Sequence, residues 1–230
     1  TQKSILNGVV LPAGQGGTKD LQQTLDALFS HPNTAPFISK QLIQRLVTSN
    51  PTPAYVYRVA QKFENNGSGT RGDLSAVVRA ILTDYEARSS TTLTAPTFGK
   101  LREPLIRATA LLRSFGANPA SGRYISGLAN TETALAQSAL RAPTVFNFFR
   151  PDYVLPGALA SAGLVAPEYE INEATYSISV PNFLRTFIFD ATDAQALTLP
   201  QGVKTQANVF ANGASARVFD GARLFGDVAV

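Results

Sequence analysis

Apolar residues recur at intervals of three and four along residues 31–88, interrupted by residues that start or stop helices. The pattern predicts three consecutive amphipathic helices. In the first, Asn33 or Thr34 serves as the cap and Pro36 is tolerated in the first turn. Phe37, Ile38, Leu42, Leu46 and Val47 form its apolar stripe, opposite Lys40, Gln41 and Gln44. Asn50-Pro51-Thr52-Pro53 ends it. The second, over Ala54–Asn65, buries Val56, Val59, Ala60 and Phe63 and stops at Asn65-Asn66-Gly67-Ser68-Gly69. Asp73 caps the third, where Leu74, Val77, Val78, Ile81, Leu82 and Tyr85 recur at helical spacing. Short connections imply that neighbouring helices pack on one another.

Upstream, residues 1–19 read as a short extended segment and a glycine-rich loop. Asp20 is placed to cap a helix over Leu21–Ser30, with Leu21, Leu25, Leu28 and Phe29 on one face. His31-Pro32 ends that helix, because a residue before proline is pushed out of the helical region. Downstream, residues 89–99 form a polar linker. A helix is predicted from Pro104 to Phe115, with Gly116 as its C-cap and Ile106, Ala110, Leu111 and Phe115 inward. A shorter helix spans Thr131–Leu140. The run 142–157 holds Phe146, Phe148, Phe149 and Tyr153 between Pro143, Pro151 and Pro156. It is too rich in proline for a long helix, and its aromatics require burial or a partner. Residues 167–190 read as a helix interrupted at Pro181. The apolar pairs Val209-Phe210, Val218-Phe219 and Leu224-Phe225 are too irregular to form a repeat. The expected fold is mainly α, an irregular multi-helix bundle with long loops and little or no sheet. Residues 1–190 are expected to form one helical domain, with a weakly patterned tail, 191–230, packed on it.

Composition narrows the function. Apolar residues make up 44% of the 230, enough for a sizeable core, whereas charged residues are only 16%. The usual charged share is about 25%, so the surface rests on Ser, Thr, Asn and Gln or is covered by contact with another component. With no Cys and one His, the chain has no disulfide and no multi-histidine metal site. The loop of Gly14, Gly16 and Gly17 lacks the Lys-Ser/Thr pair of a phosphate-binding P-loop, and no cofactor is expected. The absence of Met marks the sequence as a processed product or a fragment. No apolar run approaches the roughly 18 residues that span a membrane. Residues 1–113 carry 13 Lys/Arg against 7 Asp/Glu and residues 114–230 carry 7 against 9. The basic residues are dispersed, so no nucleic-acid partner is expected.

Two places could hold chemistry. His31, the sole imidazole, is the natural general base, or else a corner residue that caps carbonyls of the preceding helix. Asn147, Phe148, Phe149, Arg150, Asp152 and Tyr153 put polar groups beside aromatic surface, suited to binding. Arg150 and Asp152 can pair with each other, hold an anionic ligand, or serve a purely structural loop. Glu168, Glu170 and Glu173 lie nearby in sequence. Glu170 and Glu173 share a face if the segment is helical, and paired carboxylates serve glycoside hydrolysis.

The blocks HPNTAPFISKQLIQRLV, RGDLSAVVRAIL, FGKLREPLIRATALLRSFG and APTVFNFFRPDYVLPG, in that order, resemble a bacterial family catalogued as domain of unknown function 1800. The resemblance covers roughly residues 8–190, departs over the tail, and implies the C-terminal half of a longer, largely helical protein. It also implies export, to periplasm, cell surface or medium, and establishes no activity. The expected role is a structural or interaction component of a cell-envelope or extracellular assembly. Its partner would be another protein or the remainder of the same polypeptide. The alternative is a hydrolase whose main catalytic residues lie in an absent N-terminal half.

Overall fold

A computed structural model describes residues 1–114 and 131–189. In chain order the elements are β1 (Lys3–Ser4), a 3₁₀ turn (Leu6–Gly8), β2 (Val10–Leu11), α1 (Gly17–Ser30), α2 (Thr34–Leu46), α3 (Pro53–Glu64), α4 (Leu74–Thr83), α5 (Tyr85–Arg88), α6 (Ser90–Leu93), α7 (Pro104–Ser114), α8 (Glu132–Leu135), α9 (Ala158–Ser161), a 3₁₀ turn (Pro167–Ile171) and α10 (Ala174–Phe189). The fold is mainly α. Among the described residues the sheet is one antiparallel pair, Lys3 opposite Leu11 and Ser4 opposite Val10. Contacts divide the chain into Thr1–Lys100 and Leu101–Val230.

In the first unit the three expected helices form, although α2 ends at Leu46, before the Asn50-Pro51 segment expected to stop it. The helix α3 begins as its sequence directs. Thr52 Oγ1 accepts the N–H of Tyr55 at 3.1 Å, and Pro53 occupies a first-turn position where its missing donor costs nothing. Asp73 caps α4 by accepting the N–H of Ala76 at 3.1 Å. Ala35, Ile43, Tyr55, Val59, Ala60, Phe63, Val77 and Ile81 meet as one buried cluster of α2, α3 and α4. The Tyr55 hydroxyl donates to the carbonyl of Ile81 at 2.7 Å, so the ring is buried without stranding its polar end.

The apolar stripe of α2 is only partly as predicted, since Ile38, Leu42 and Val47 pack against the core but do not form its centre. Its buried residues are Ala35, Ser39, Ile43 and Gln44, while Phe37 and Leu46 remain about half exposed. Gln44 was expected on the solvent side. Instead its amide donates to the carbonyl of Ser49 at 2.9 Å and closes the turn into α3. Lys100 completes that end of α2, its ammonium donating to the carbonyls of Gln44 and Arg45 at 3.1 and 2.9 Å. The linker 89–99 is not wholly irregular, because Ser89 caps the short α6. Its far end is stitched back to α2, since the Gly99 carbonyl accepts the Ser49 N–H at 3.0 Å and the Thr48 hydroxyl at 3.1 Å.

The helix α1 starts four residues earlier than predicted, at Gly17, and Asp20 lies in its first turn instead of capping it. Gly16 takes the cap position with φ of 85°, a conformation that disfavours a side chain. Asp20 binds Lys3 and Gln15, which hold its carboxyl below the usual carboxylate range.

In the second unit, Ala108, Leu135 and Val180 form the core of α7, α8 and α10, flanked by Leu105, Ala134, Tyr176, Phe183 and Leu184. Ile106, expected inward, is 42% exposed, and Phe115 and Gly116 lie outside the described residues. The helix predicted over Thr131–Leu140 ends at Leu135, because Ala136 turns left-handed with φ of 55°. Just beyond that turn lies a buried polar knot. Gln137 donates to Glu103 at 2.8 Å and accepts the N–H of Leu105 at 3.1 Å, satisfying a first-turn donor of α7. The segment 167–190 divides into the second 3₁₀ turn and α10, and α10 runs on through Pro181. An interior proline costs about 3 kcal/mol. Tyr176, Val180, Phe183 and Leu184, spaced along one face, offset that by packing on α7 and α8.

Ser39 is fully buried and its hydroxyl has no hydrogen-bond partner. Ser39→Ala is therefore expected to leave stability unchanged or raise it by about 1 kcal/mol, since it removes an unmet donor. Ile43→Ala, on the same helix, is expected to lose about 2–5 kcal/mol. Urea unfolding of both variants measures the contrast.

Candidate functional site

Three groups of side chains carry the polar and aromatic chemistry. The first is the aromatic loop. It contains no long helix, and an isolated bridge pairs Thr144 with Asn147, which adopts a φ of 75°. The Thr144 hydroxyl donates to the Asn147 carbonyl at 3.0 Å, while the Asn147 N–H donates to the Thr144 carbonyl at 3.1 Å. Phe149 is buried, Phe148 and Tyr153 are half-buried, and Asp152 is exposed. Arg150 pairs with Glu170 and not with Asp152. Its Nε donates to Glu170 Oε1 at 3.0 Å and its backbone N–H to Oε2 at 2.6 Å. Glu170 lies in the 3₁₀ turn and Glu173 beyond it, so the two share no helix face, and Glu168 is buried. The outward apolar side chains here include Leu140, Val145, Phe146 and Val154, the first two almost fully exposed. Sequence reasoning ranked Phe148 and Phe149 above them, because it identifies apolar residues without telling which way a loop turns them.

The second group is the corner after α1. His31 Nδ1 accepts the N–H of Asn33 at 3.1 Å, so the ring caps the turn into α2. The His31 carbonyl accepts from Arg71 at 3.3 Å, and the Phe29 carbonyl from Arg71 Nε at 3.0 Å. The Arg71 guanidinium also pairs with Glu64 and lies over the rings of Phe29 and Phe63, at 5.5 and 5.3 Å from their centroids. Each residue of Arg71-Gly72-Asp73 thus has a structural task. Arg71 fastens the end of α1. Gly72, with φ of 77°, leaves room for Phe29, whose ring lies 2.6 Å from where a Cβ would sit. Asp73 caps α4, and its bond from Asn66 holds its carboxyl low. Beside this corner, Pro32, Pro36, Pro51, Pro53 and Tyr57 help line a cleft of about 490 Å³ between α2 and α3. Its ionisable lining residues are Lys40, Tyr57 and Glu64, and Glu64 is already paired with Arg71.

The third group was missed in the sequence. Arg58 on α3 donates to both carboxylate oxygens of Asp84, at 2.8 and 2.9 Å, and to Glu86 Oε1 at 2.8 Å. It also lies 4.6 Å from the Tyr85 ring centroid. Glu86 accepts the Thr52 hydroxyl at 2.8 Å. Burial raises the Asp84 pKa, yet Arg58 and the Glu86 N–H outweigh it and hold the carboxyl below its ordinary value. The paired carboxylates hold Arg58 charged, and burial together with the charges of Asp84 and Glu86 pushes the Tyr55 phenol up. Every charge in this cluster is answered within the protein, which is how a structural clamp looks. Among the described residues no group of three metal-ligating side chains occurs.

A family model described as a protein of unknown function, DUF1800, matches residues 1–220. The chain belongs to the DUF1800 family. The match continues well past residue 190, where the sequence blocks placed the edge of the resemblance, and takes in most of the tail. Comparison with curated proteins and with solved structures returned no match. No described helix of this DUF1800 chain is long and apolar enough to cross a membrane.

The clamp and the corner can each be tested by substitution. The Asp84 carboxylate contributes stability that is complete above its unfolded pKa of about 3.9 and is lost as pH falls through its lower folded value. Asp84→Ala should cost about 2–3 kcal/mol at pH 7, less than for a fully buried pair because the Arg58 side chain is 35% exposed. The gap from wild type should close as pH drops below about 4, readable from urea curves across pH. Gly72→Ala should cost at least about 2 kcal/mol, from left-handed strain and the Phe29 ring. In a double-mutant cycle, Phe29→Ala should recover part of that loss.

Proposed function

We propose that this DUF1800 chain is an exported interaction component that assembles with another protein of the envelope or extracellular space. The observation that carries the reading is the exposure of α1. Leu21, Leu25, Leu28 and Phe29 are between 43% and 60% exposed, and the helix buries no residue at all. A 14-residue amphipathic helix ordinarily turns its apolar stripe to the core. Leu140, Val145 and Phe146 add a second outward apolar group in the other unit. The low charge content and the polar clusters, which are consumed in structural bonds, agree with contact surfaces over chemistry. Export rests on the resemblance of the helical blocks to exported proteins.

The test is photo-crosslinking of the full chain carrying a reactive amino acid at Leu25 or at Val145, within the native envelope fraction. A saturable, position-dependent adduct is expected at one or both. A chain that stays monomeric and unlinked at both positions would overturn the reading, as would its retention in the cytoplasm.

A further inference from the structure

Two places in the described chain carry asparagine followed by glycine, Asn7-Gly8 and Asn66-Gly67, and the fold treats them oppositely. This dipeptide is open to attack of the backbone on its own side chain, because glycine has no Cβ to hinder the approach of its nitrogen. A base in water removes the glycine N–H proton, and the nitrogen attacks the asparagine Cγ. The N–Cγ bond forms, the Cγ–Nδ2 bond breaks, and ammonia leaves with a proton taken from water. The product is a cyclic succinimide, which water opens at either carbonyl to give aspartate or isoaspartate. The side-chain amide and the next backbone nitrogen must turn towards each other, so hydrogen bonds that fix either one oppose the step.

Asn66 is fixed on every side. Its Oδ1 accepts the N–H of Ser68 at 2.8 Å and that of Thr70 at 3.2 Å, and its Nδ2 donates to Asp73 Oδ2 at 2.8 Å. The nitrogen that would attack is held as well, since the Gly67 N–H donates to Asn65 Oδ1 at 2.8 Å. Asn7 is restrained far less. It is exposed in the turn between β1 and β2, and its side chain makes no hydrogen bond among the described residues. The Gly8 N–H donates to the Ile5 carbonyl at 3.2 Å and the Val9 N–H to the Leu6 carbonyl at 3.3 Å, both at the long end for such bonds.

We propose that Asn7 is a site of spontaneous covalent modification, deamidation to aspartate and isoaspartate, and that the turn around Asn66 locks the same dipeptide against it. Modification at Asn7 acts on the hairpin. Isoaspartate lengthens the backbone inside the turn that sets Lys3 opposite Leu11 and Ser4 opposite Val10. Lys3 is also the partner of Asp20 in the first turn of α1, so the register of this hairpin bears on how α1 is anchored.

The test is peptide mapping by mass spectrometry of the full chain, held folded in mildly alkaline buffer and, in parallel, unfolded in urea. Residues 4–19 and 63–71 fall in separate tryptic peptides. The rate in urea gives the intrinsic reactivity of each site, and its ratio to the folded rate gives the shielding. One net hydrogen bond lowers the open population about fivefold, so Asn66 should be shielded at least about tenfold more than Asn7. Asp73→Ser keeps a capping oxygen for α4 but takes the carboxylate away from Asn66, and should speed conversion of Asn66 about fivefold. In the isoaspartyl chain the Ile5 N–H, which donates to the Val9 carbonyl at 2.9 Å, should exchange with deuterium faster than in the fresh chain. Equal shielding at the two sites, faster conversion at Asn66, or no conversion at Asn7 in the folded chain would overturn the proposal. An Asn66 rate unmoved by Asp73→Ser would remove the lock, and unchanged exchange at Ile5 would remove the effect on the hairpin.

Discussion

The Glu86 carboxylate joins two separate parts of the first unit. It accepts from Thr52, the residue that caps α3, and from Arg58 in the middle of the same helix. Through its own backbone N–H it binds Asp84, which ends α4 and caps α5. One buried charge thus ties the start of α3 to the junction of α4 and α5. The hydrophobic cluster of Tyr55, Val59, Val77 and Ile81 lies directly beneath that tie. Hydrophobic burial is non-directional, so it would accept several rotations of α3 against α4. The bidentate guanidinium and the shared carboxylate accept far fewer.

The same division between non-directional and directional forces explains what could be read in the chain. Helix positions in 31–88 were legible because Asp73, Thr52, Pro53 and the Asn-Gly break act within four residues of where they stand. The phase of α2 was not, since Phe37 and Leu46 are as apolar as Ile43 and only the packing against α3 and α4 decides which is covered. Gln44 and Gln137 went unrecognised as core residues for a related reason. Each is buried because its amide meets a specific backbone or carboxylate group 5 to 34 residues away. The clamp of Arg58, Asp84 and Glu86 spans up to 28 residues, a pairing that no local pattern encodes. Pro181 shows the converse, a strong local stop signal overridden by the packing of Val180 on Ala108 and Leu135.

The candidate site was partly legible. Arg150 was identified as the polar centre of the aromatic loop, and it does make a charged contact there, but with Glu170. That contact leaves the arginine largely exposed, so it orders the loop more than it excludes water from a ligand. His31, the only imidazole, was open to two readings, a general base or a corner cap. Its Nδ1 is engaged by a backbone N–H two residues on, the local bond by which a side chain shapes a turn. Chemistry and packing compete for the same few polar groups, and in the described residues packing has claimed most of them.

What packing has not claimed is the stripe on α1. Its exposure comes from how the helix is held. Arg71 fixes the C-terminal end by hydrogen bonds to carbonyls, and Asp20 fixes the N-terminal end through Lys3 and Gln15. These bonds set the rotation of the helix without regard to its leucines. If burial alone had positioned α1, the helix would have turned until Leu21, Leu25 and Leu28 met the core, because each buried leucine is worth about 1.5–3 kcal/mol. The polar anchors prevent that rotation. Directional bonds at both ends of the helix thus keep its apolar face outward.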